Sequence, residues 1–256
     1  MQHLADLLAA LPLPRAEAPE PPPQVEPELV HDLGADMPAG HLHVWGGPTG
    51  GGKTAFLLSL LHGAALKGRG VVYASYDLPV ETLALRLLAM AAGVDAGALA
   101  EGRLEAQAAR HAGRLRAALQ SVPFLLLPAR GFSVSSLEDR LVRMPFRPEV
   151  LAVDYLQAVV RDPSTDAGST LRELSALATR LHVAVVCAVR MEPALEESEL
   201  PLHGLPSEGA DRVGWIAPAG GSGACRAEVL QNRYGARPTV PLTLDPANGA
   251  LHPAAR

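Results

Sequence analysis

The sequence predicts an α/β protein with a mostly parallel central sheet, flanking helices and an antiparallel extension at one edge. From His41 onward, short apolar runs alternate with helical patterns, the alternation that right-handed crossovers turn into a parallel sheet. The final strand candidates follow one another closely, which suggests antiparallel pairing at one edge. At 256 residues and 48% hydrophobic, the chain can hold one large α/β domain or at most two small ones.

In chain order, Leu4, Leu7, Leu8 and Leu11 recur at i, i+3, i+4 and i+7, predicting a short amphipathic helix within residues 1–12. A helix of about three turns is marginal alone, so it either frays or docks on something. Seven of the 23 prolines fall between Pro12 and Pro27, predicting an extended linker over 13–28. The main domain follows at 29–251. Its strand candidates are HLHVW, GVVYAS, PFLLL, EVLAVD and VAVVCA, then RVGWI, CRAEVLQ and TVPLTLD. Helices are expected at 53–67, 80–92, 103–120, 134–144 and 169–181.

Composition excludes several classes. No stretch approaches the ~20 uninterrupted apolar residues of a membrane span, and the start lacks the basic n-region of a signal peptide. Cys187 and Cys225 lie in strand-like runs without metal-ligand spacing and are expected to be reduced core thiols, so a cytoplasmic protein is expected. A net charge of −5 does not suggest a nucleic-acid binder, although a basic channel can hide inside an acidic average.

GGPTGGGKT joins the first strand to the first helix. Gly47, Gly52, Lys53 and Thr54 fill G-x-x-x-x-G-K-[ST] in the strand–loop–helix context that motif requires. The glycines let backbone N–H groups converge on phosphates, and the helix N-terminus adds partial positive charge. Gly47, Pro48, Thr49, Gly50, Gly51, Gly52, Lys53 and Thr54 are therefore expected to wrap the phosphates of ATP. Lys53 is expected to reach the β- and γ-phosphates and Thr54 to bind Mg²⁺. Asp154 ends a buried strand, where such a loop's partner acid holds the metal's hydration shell. The next residue is Tyr155 rather than a glutamate that would polarise water, so a catalytic acid must come from elsewhere. Asp77, at the end of a neighbouring strand, is the candidate, although an aspartate before Leu-Pro also suits a turn.

The phosphate loop, SYDLPVETLALRLLA and AVDYLQ, in this order and spacing, resemble the ATPase domain of DnaB-type replicative helicases, which are hexameric RecA-fold motors. ELSALATRLHVAVVCAVR and EVLQNRYGARPTVPLTLD extend the likeness from about Leu29 to Leu251, and NRYG also resembles the related RadA-type ATPases. The resemblance implies a RecA-like P-loop fold and a homo-oligomeric ring with sites between subunits. It implies that Arg233 acts as an arginine finger on the neighbour's γ-phosphate, a solvated hairpin arginine being the alternative. It also aligns Arg190 with the family's γ-phosphate sensor, where it either adds a cis cation or is a surface arginine without a role.

The chain departs from the pattern in four places. Asp77 stands where the family has glutamate, which puts its carboxylate ~1 Å short and predicts slow hydrolysis. Gln231 replaces a lysine two residues before the finger, and arginine replaces glutamine at position 190. Residues 191–211, expected to enter a central DNA channel, carry Glu192, Glu196, Glu197, Glu199, Glu208 and Asp211 without a lysine or arginine. VRDPSTDAGST offers Arg161 against Asp162 and Asp166. Strand binding relies on basic groups, so single-stranded DNA is opposed, though backbone N–H groups can also hold phosphates. The family's amino-terminal primase-interaction domain has no counterpart in the sequence; residues 2–11 suit an oligomer clip or a frayed tail. Two functions follow: a DnaB-like ATPase assembling as a ring, or a slow switch ATPase that grips a protein partner without unwinding DNA.

Overall fold

The computed structural model describes residues 2–14, 33, 37–159, 166–191 and 205–254. Its strands are β1 (Gln2–His3), β2 (Leu42–Gly47), β3 (Val71–Ser75), β4 (Phe124–Pro128) and β5 (Val150–Asp154), then β6 (Ala184–Arg190), β7 (Arg212–Pro218), β8 (Ala224–Asn232), β9 (Thr239–Leu244) and β10 (Leu251–Pro253). They join in one sheet of order β1-β4-β3-β5-β6-β2-β7-β8-β9-β10. The six strands from β4 to β7 in that order are parallel, and β8, β9 and β10 continue antiparallel. RVGWI thus belongs to the parallel part, and the antiparallel extension begins with CRAEVLQ in β8.

A second antiparallel pairing closes the other edge, where Gln2 and His3 pair with Leu126 and Leu125 of β4. The helix that follows, α1 (Leu4–Ala9), buries Leu4 and Leu8 completely. The helices are otherwise α2 (Lys53–Leu66), α3 (Val80–Ala92), α4 (Ala96–Ala100), α5 (Ala106–Leu119), α6 (Val134–Val142), α7 (Leu156–Val159) and α8 (Ala167–Leu181). The helix expected at 103–120 starts at Ala106, because an independent turn, α4, precedes it. Asp95 caps that turn by accepting from the Ala98 amide at 2.6 Å, and Gly102 leaves it with φ +66°. Asp166 caps α8 in the same way, which moves its start from 169 to 167.

Alternation along the strands divides the core into two layers. Trp45, Val71, Tyr73, Phe124, Leu126, Val150 and Ala152 face α1, α2, α3 and α5. Val44, Val72, Ala74, Leu125, Leu127, Leu151 and Val153 face α6 and α8. On the first face, Arg116 of α5 holds the N-terminal segment down, donating to the carbonyls of Leu11 (3.0 Å) and Pro14 (3.2 Å). Most of the proline-rich linker, residues 15–28, lies outside the described residues. Cys187 and Cys225 are both buried and unpaired with each other; burial raises both thiols above their ordinary pKa. His43 and His62 are buried too, and the Nε2 of each lacks a hydrogen-bond partner. Burial holds their pKa values down to about 3 and about 4, with Arg212 adding to the effect at His43.

Candidate nucleotide site

β2 delivers the chain to the carboxyl edge of the parallel sheet, where Gly47 ends it and α2 begins at Lys53. Gly47 is obligatory for packing: a Cβ there would lie 2.2 Å from the Ile216 carbonyl oxygen of β7. Gly52 caps α2 with φ +89°, a left-handed conformation that L side chains avoid. Between them the loop turns on a bond from the Gly51 amide to the Pro48 carbonyl at 3.0 Å. The Lys53 ammonium reaches back over the loop and donates to the carbonyls of Gly47 (2.8 Å) and Pro48 (2.7 Å). The loop borders a cavity of about 700 Å³ whose walls include Leu58, Leu78, Arg86, Met90, Leu244 and Asn248.

Asp154, at the end of β5, is buried beside the loop. Thr54 Oγ1 donates to its Oδ2 at 2.9 Å, and Tyr73 Oη donates to the same oxygen at 2.6 Å. Burial pushes the Asp154 carboxyl above its usual range. The two hydrogen bonds and the nearby Lys53 charge oppose that shift, and Asp77 adds to it. Register explains the grouping: Ser75 of β3 pairs with Asp154 of β5, so both strands end together. The chain then turns, with the Tyr76 amide donating to the Asp154 carbonyl at 2.9 Å and Ser75 Oγ to the Leu78 carbonyl at 2.6 Å. Asp77 is exposed on this turn, and its carbonyl accepts from Arg130 at 3.3 Å.

Arg190 ends β6 in register with Gly47, which places it at the same edge. Gln157, the glutamine of DYLQ, brackets its backbone, accepting from the Arg190 amide (3.1 Å) and donating to its carbonyl (2.7 Å). Arg233 lies elsewhere. It follows β8, whose Asn232 pairs with Arg212, which in turn pairs with His43 near the start of β2. The length of β2, on the order of 15 Å, therefore separates Arg233 from its own chain's phosphate loop. The structure thus brings together Gly47 to Thr54, Asp154, Asp77 and Arg190, and leaves Arg233 at the opposite end of the sheet.

The acidic loop is corrected in part. Residues 192–204, with Glu192, Glu196, Glu197 and Glu199, lie outside the described residues, as do Arg161 and Asp162. Asp211 is not a loop acid facing a channel. It is buried, and its Oδ2 accepts the Leu42 amide at 2.9 Å while its own amide donates to the Leu42 carbonyl at 2.8 Å. Its carbonyl takes the Arg233 amide at 3.0 Å, and Oδ1 lies 3.7 Å from the Arg233 guanidinium. Asp166 caps α8, and the Glu208 carboxylate accepts from the Ser207 amide at 3.0 Å. Three of the acids therefore serve the fold locally.

Tyr73 and Gln157 had no role in the sequence reading. A tyrosine in an apolar strand reads as core, and the distance to each one's partner in the chain conceals both contacts.

A parallel sheet with a glycine-rich loop between β2 and α2, and a buried acid two strands away, defines a P-loop nucleotide-binding domain. The family described as "DnaB-like helicase C terminal domain" matches residues 32–201, and the chain belongs to that family. Replicative DNA helicase DnaB of Buchnera aphidicola subsp. Acyrthosiphon pisum is 29% identical over 158 residues, 57% of this chain and 34% of the relative. DnaB of Rickettsia bellii is 26% identical over 166 residues, 58% of this chain and 33% of the relative. The chain thus spans about a third of the length of these relatives. Among solved structures, "ATPase Domain of G40P" superposes with TM-score 0.75 at 16% identity, over 84% of this chain and 85% of that one. "The Structure Of A DnaB-Like Replicative Helicase And Its Interactions With Primase" superposes with TM-score 0.76 at 15% identity, over 92% and 64%. These two establish the shared RecA-like fold. Among the described residues, no helix is long and apolar enough to cross a membrane.

Proposed function

We propose that this chain is an ATP-hydrolysing DnaB-like domain, acting in the cytoplasm, that assembles with copies of itself into a ring. The observation that carries the reading is the separation of Arg233 from its own phosphate loop by the length of β2. An arginine that far away serves hydrolysis only on a neighbouring copy. The loop's backbone amides, Lys53 and the amino end of α2 would bind the phosphates. Thr54 and Asp154 would hold Mg²⁺: an oxygen pair already 2.9 Å apart beside the loop suits a hard cation. Magnesium, once bound, neutralises charge on the β- and γ-phosphates. Lys53 would exchange the Gly47 and Pro48 carbonyls for phosphate oxygens. Asp77, exposed at the strand end beside Asp154, would orient the attacking water. A neighbour's Arg233 would complete the site, and Arg190 stands at the same edge as a cis cation.

The test is complementation. Lys53→Ala and Arg233→Ala each abolish turnover alone, and mixing them restores a fraction of it if sites form between copies. Absence of recovery, with both variants folded and associating, would refute shared sites. Adding single-stranded DNA at low salt reports whether strand binding stimulates hydrolysis.

The second reading is a slow switch ATPase that holds a protein partner without unwinding DNA. Asp77 favours it, since its carboxylate stands one methylene shorter than a glutamate would. Tight ATP binding with slow turnover, indifferent to DNA, would select it.

A further inference from the structure

Tyr73 is fully buried on the sheet face that also carries Val71, Phe124, Leu126, Val150 and Ala152. A phenol enclosed among such residues is costly unless its hydroxyl finds a partner, and an aliphatic side chain would fill the space without that demand. Tyr73 pairs with Ala152 in the parallel register, and Asp154 is two residues further along the same face of β5. That diagonal is within reach of an aromatic side chain, and the phenol uses it, donating to Asp154 Oδ2 at 2.6 Å. The same oxygen receives Thr54 at 2.9 Å. A carboxylate held by two donors on one oxygen has its side-chain torsions fixed. The second donor is the other residue of the magnesium pair.

We propose that Tyr73 is a positioning residue for the metal-holding acid: its hydroxyl fixes the Asp154 carboxylate against Thr54, so that magnesium meets a prearranged pair of ligands. The proposal rests on the reading of Thr54 and Asp154 as that pair. It concerns the metal side of the nucleotide site and leaves the phosphate loop itself untouched. Removing the hydroxyl should therefore weaken magnesium-dependent nucleotide binding more than binding without the metal.

The experiment uses the full chain and Tyr73→Phe, with a fluorescent ADP analogue titrated first in EDTA and then with rising MgCl₂. The expected result is unchanged binding in EDTA and a magnesium midpoint raised about tenfold, the scale of a supporting-residue loss at a metal site. In hydrolysis, the magnesium concentration for half-maximal rate should rise by a larger factor than kcat at saturating magnesium falls. An unmoved midpoint in folded Tyr73→Phe would overturn the proposal, leaving the tyrosine as core packing. An equal loss in EDTA and in magnesium would overturn it too, since a general packing defect produces that. Should Tyr73→Phe fail to accumulate, Tyr73→Met gives the same readout. Asp154→Asn separates the layers: if it leaves the magnesium midpoint unchanged, the assignment of the metal pair is what fails. If Asp154→Asn shifts the midpoint and Tyr73→Phe does not, only the role of Tyr73 fails.

Discussion

One methylene at position 77 sets the expected rate of this domain. The backbone at the end of β3 is fixed by the Tyr76 amide on Asp154 and the Ser75 hydroxyl on Leu78, so a short carboxylate gains little reach from backbone movement. Asp77→Glu should raise kcat about tenfold or more with KM for ATP little changed, because general-base geometry is lost over ~1 Å. Steady-state ATPase assays decide it, and an unchanged or lower kcat would remove Asp77 from the water-orienting role. The phosphate-loop residues were legible in the sequence because glycine, lysine and threonine at fixed spacing have a local mechanism. Tyr73 was not, since its meaning depends on Asp154, which only strand register brings beside it. Asp211 misled for the same reason. Adjacent to an acidic run it reads as surface charge, yet it is buried, its carboxylate and its amide both bonded to the Leu42 backbone.

Elements carry the next set of consequences. Asp211 ties the start of β2 to the turn that presents Arg233, so the two ends of β2 serve two different proposed sites. Asp211→Ala leaves the buried Leu42 amide without its carboxylate acceptor and should cost about 1–3 kcal/mol, measured by urea denaturation. Asp211→Asn keeps an acceptor and should cost less, while its turnover falls toward that of Arg233→Ala if the carboxylate helps aim the guanidinium. An Asp211→Asn protein as unstable as Asp211→Ala would contradict this division. At the other edge, the six-residue α1 is too short to persist alone and stays through Leu4, Leu8 and Arg116. Arg116→Ala frees the Leu11 and Pro14 carbonyls, so limited proteolysis should cut within residues 2–14 faster while the sheet remains folded. An unaltered cleavage rate would show that leucine burial suffices. The sequence predicted this helix from its spacing. Its seat was illegible, because nothing local links residue 11 to residue 116.

For the molecule as a whole, two buried neutral histidines set a limit on the acid side. Their folded pKa values, about 3 for His43 and about 4 for His62, lie below the ordinary ~6.5 of an unfolded chain. Between those limits the unfolded state binds more protons, so stability rises with pH and is lost as pH falls below about 6.5. Each histidine should cost up to about 1.4 kcal/mol per pH unit in that window. Asp154, with its raised carboxyl, acts in the opposite sense at the acid end and only partly offsets them. Calorimetric melting at pH 7.5, 6 and 5 should show a falling Tm, and His62→Leu should flatten the slope. A profile level down to pH 5 would mean that these imidazoles reach water on protonation. The pairing of Gln2 and His3 with β4 has a consequence of another kind. Without it, the backbone of Leu125 and Leu126 would end a long apolar sheet with open hydrogen-bonding groups, a template on which other chains add strands. Gln2 and His3 act as a stopper against fibril-like growth, so removing their pairing endangers solubility.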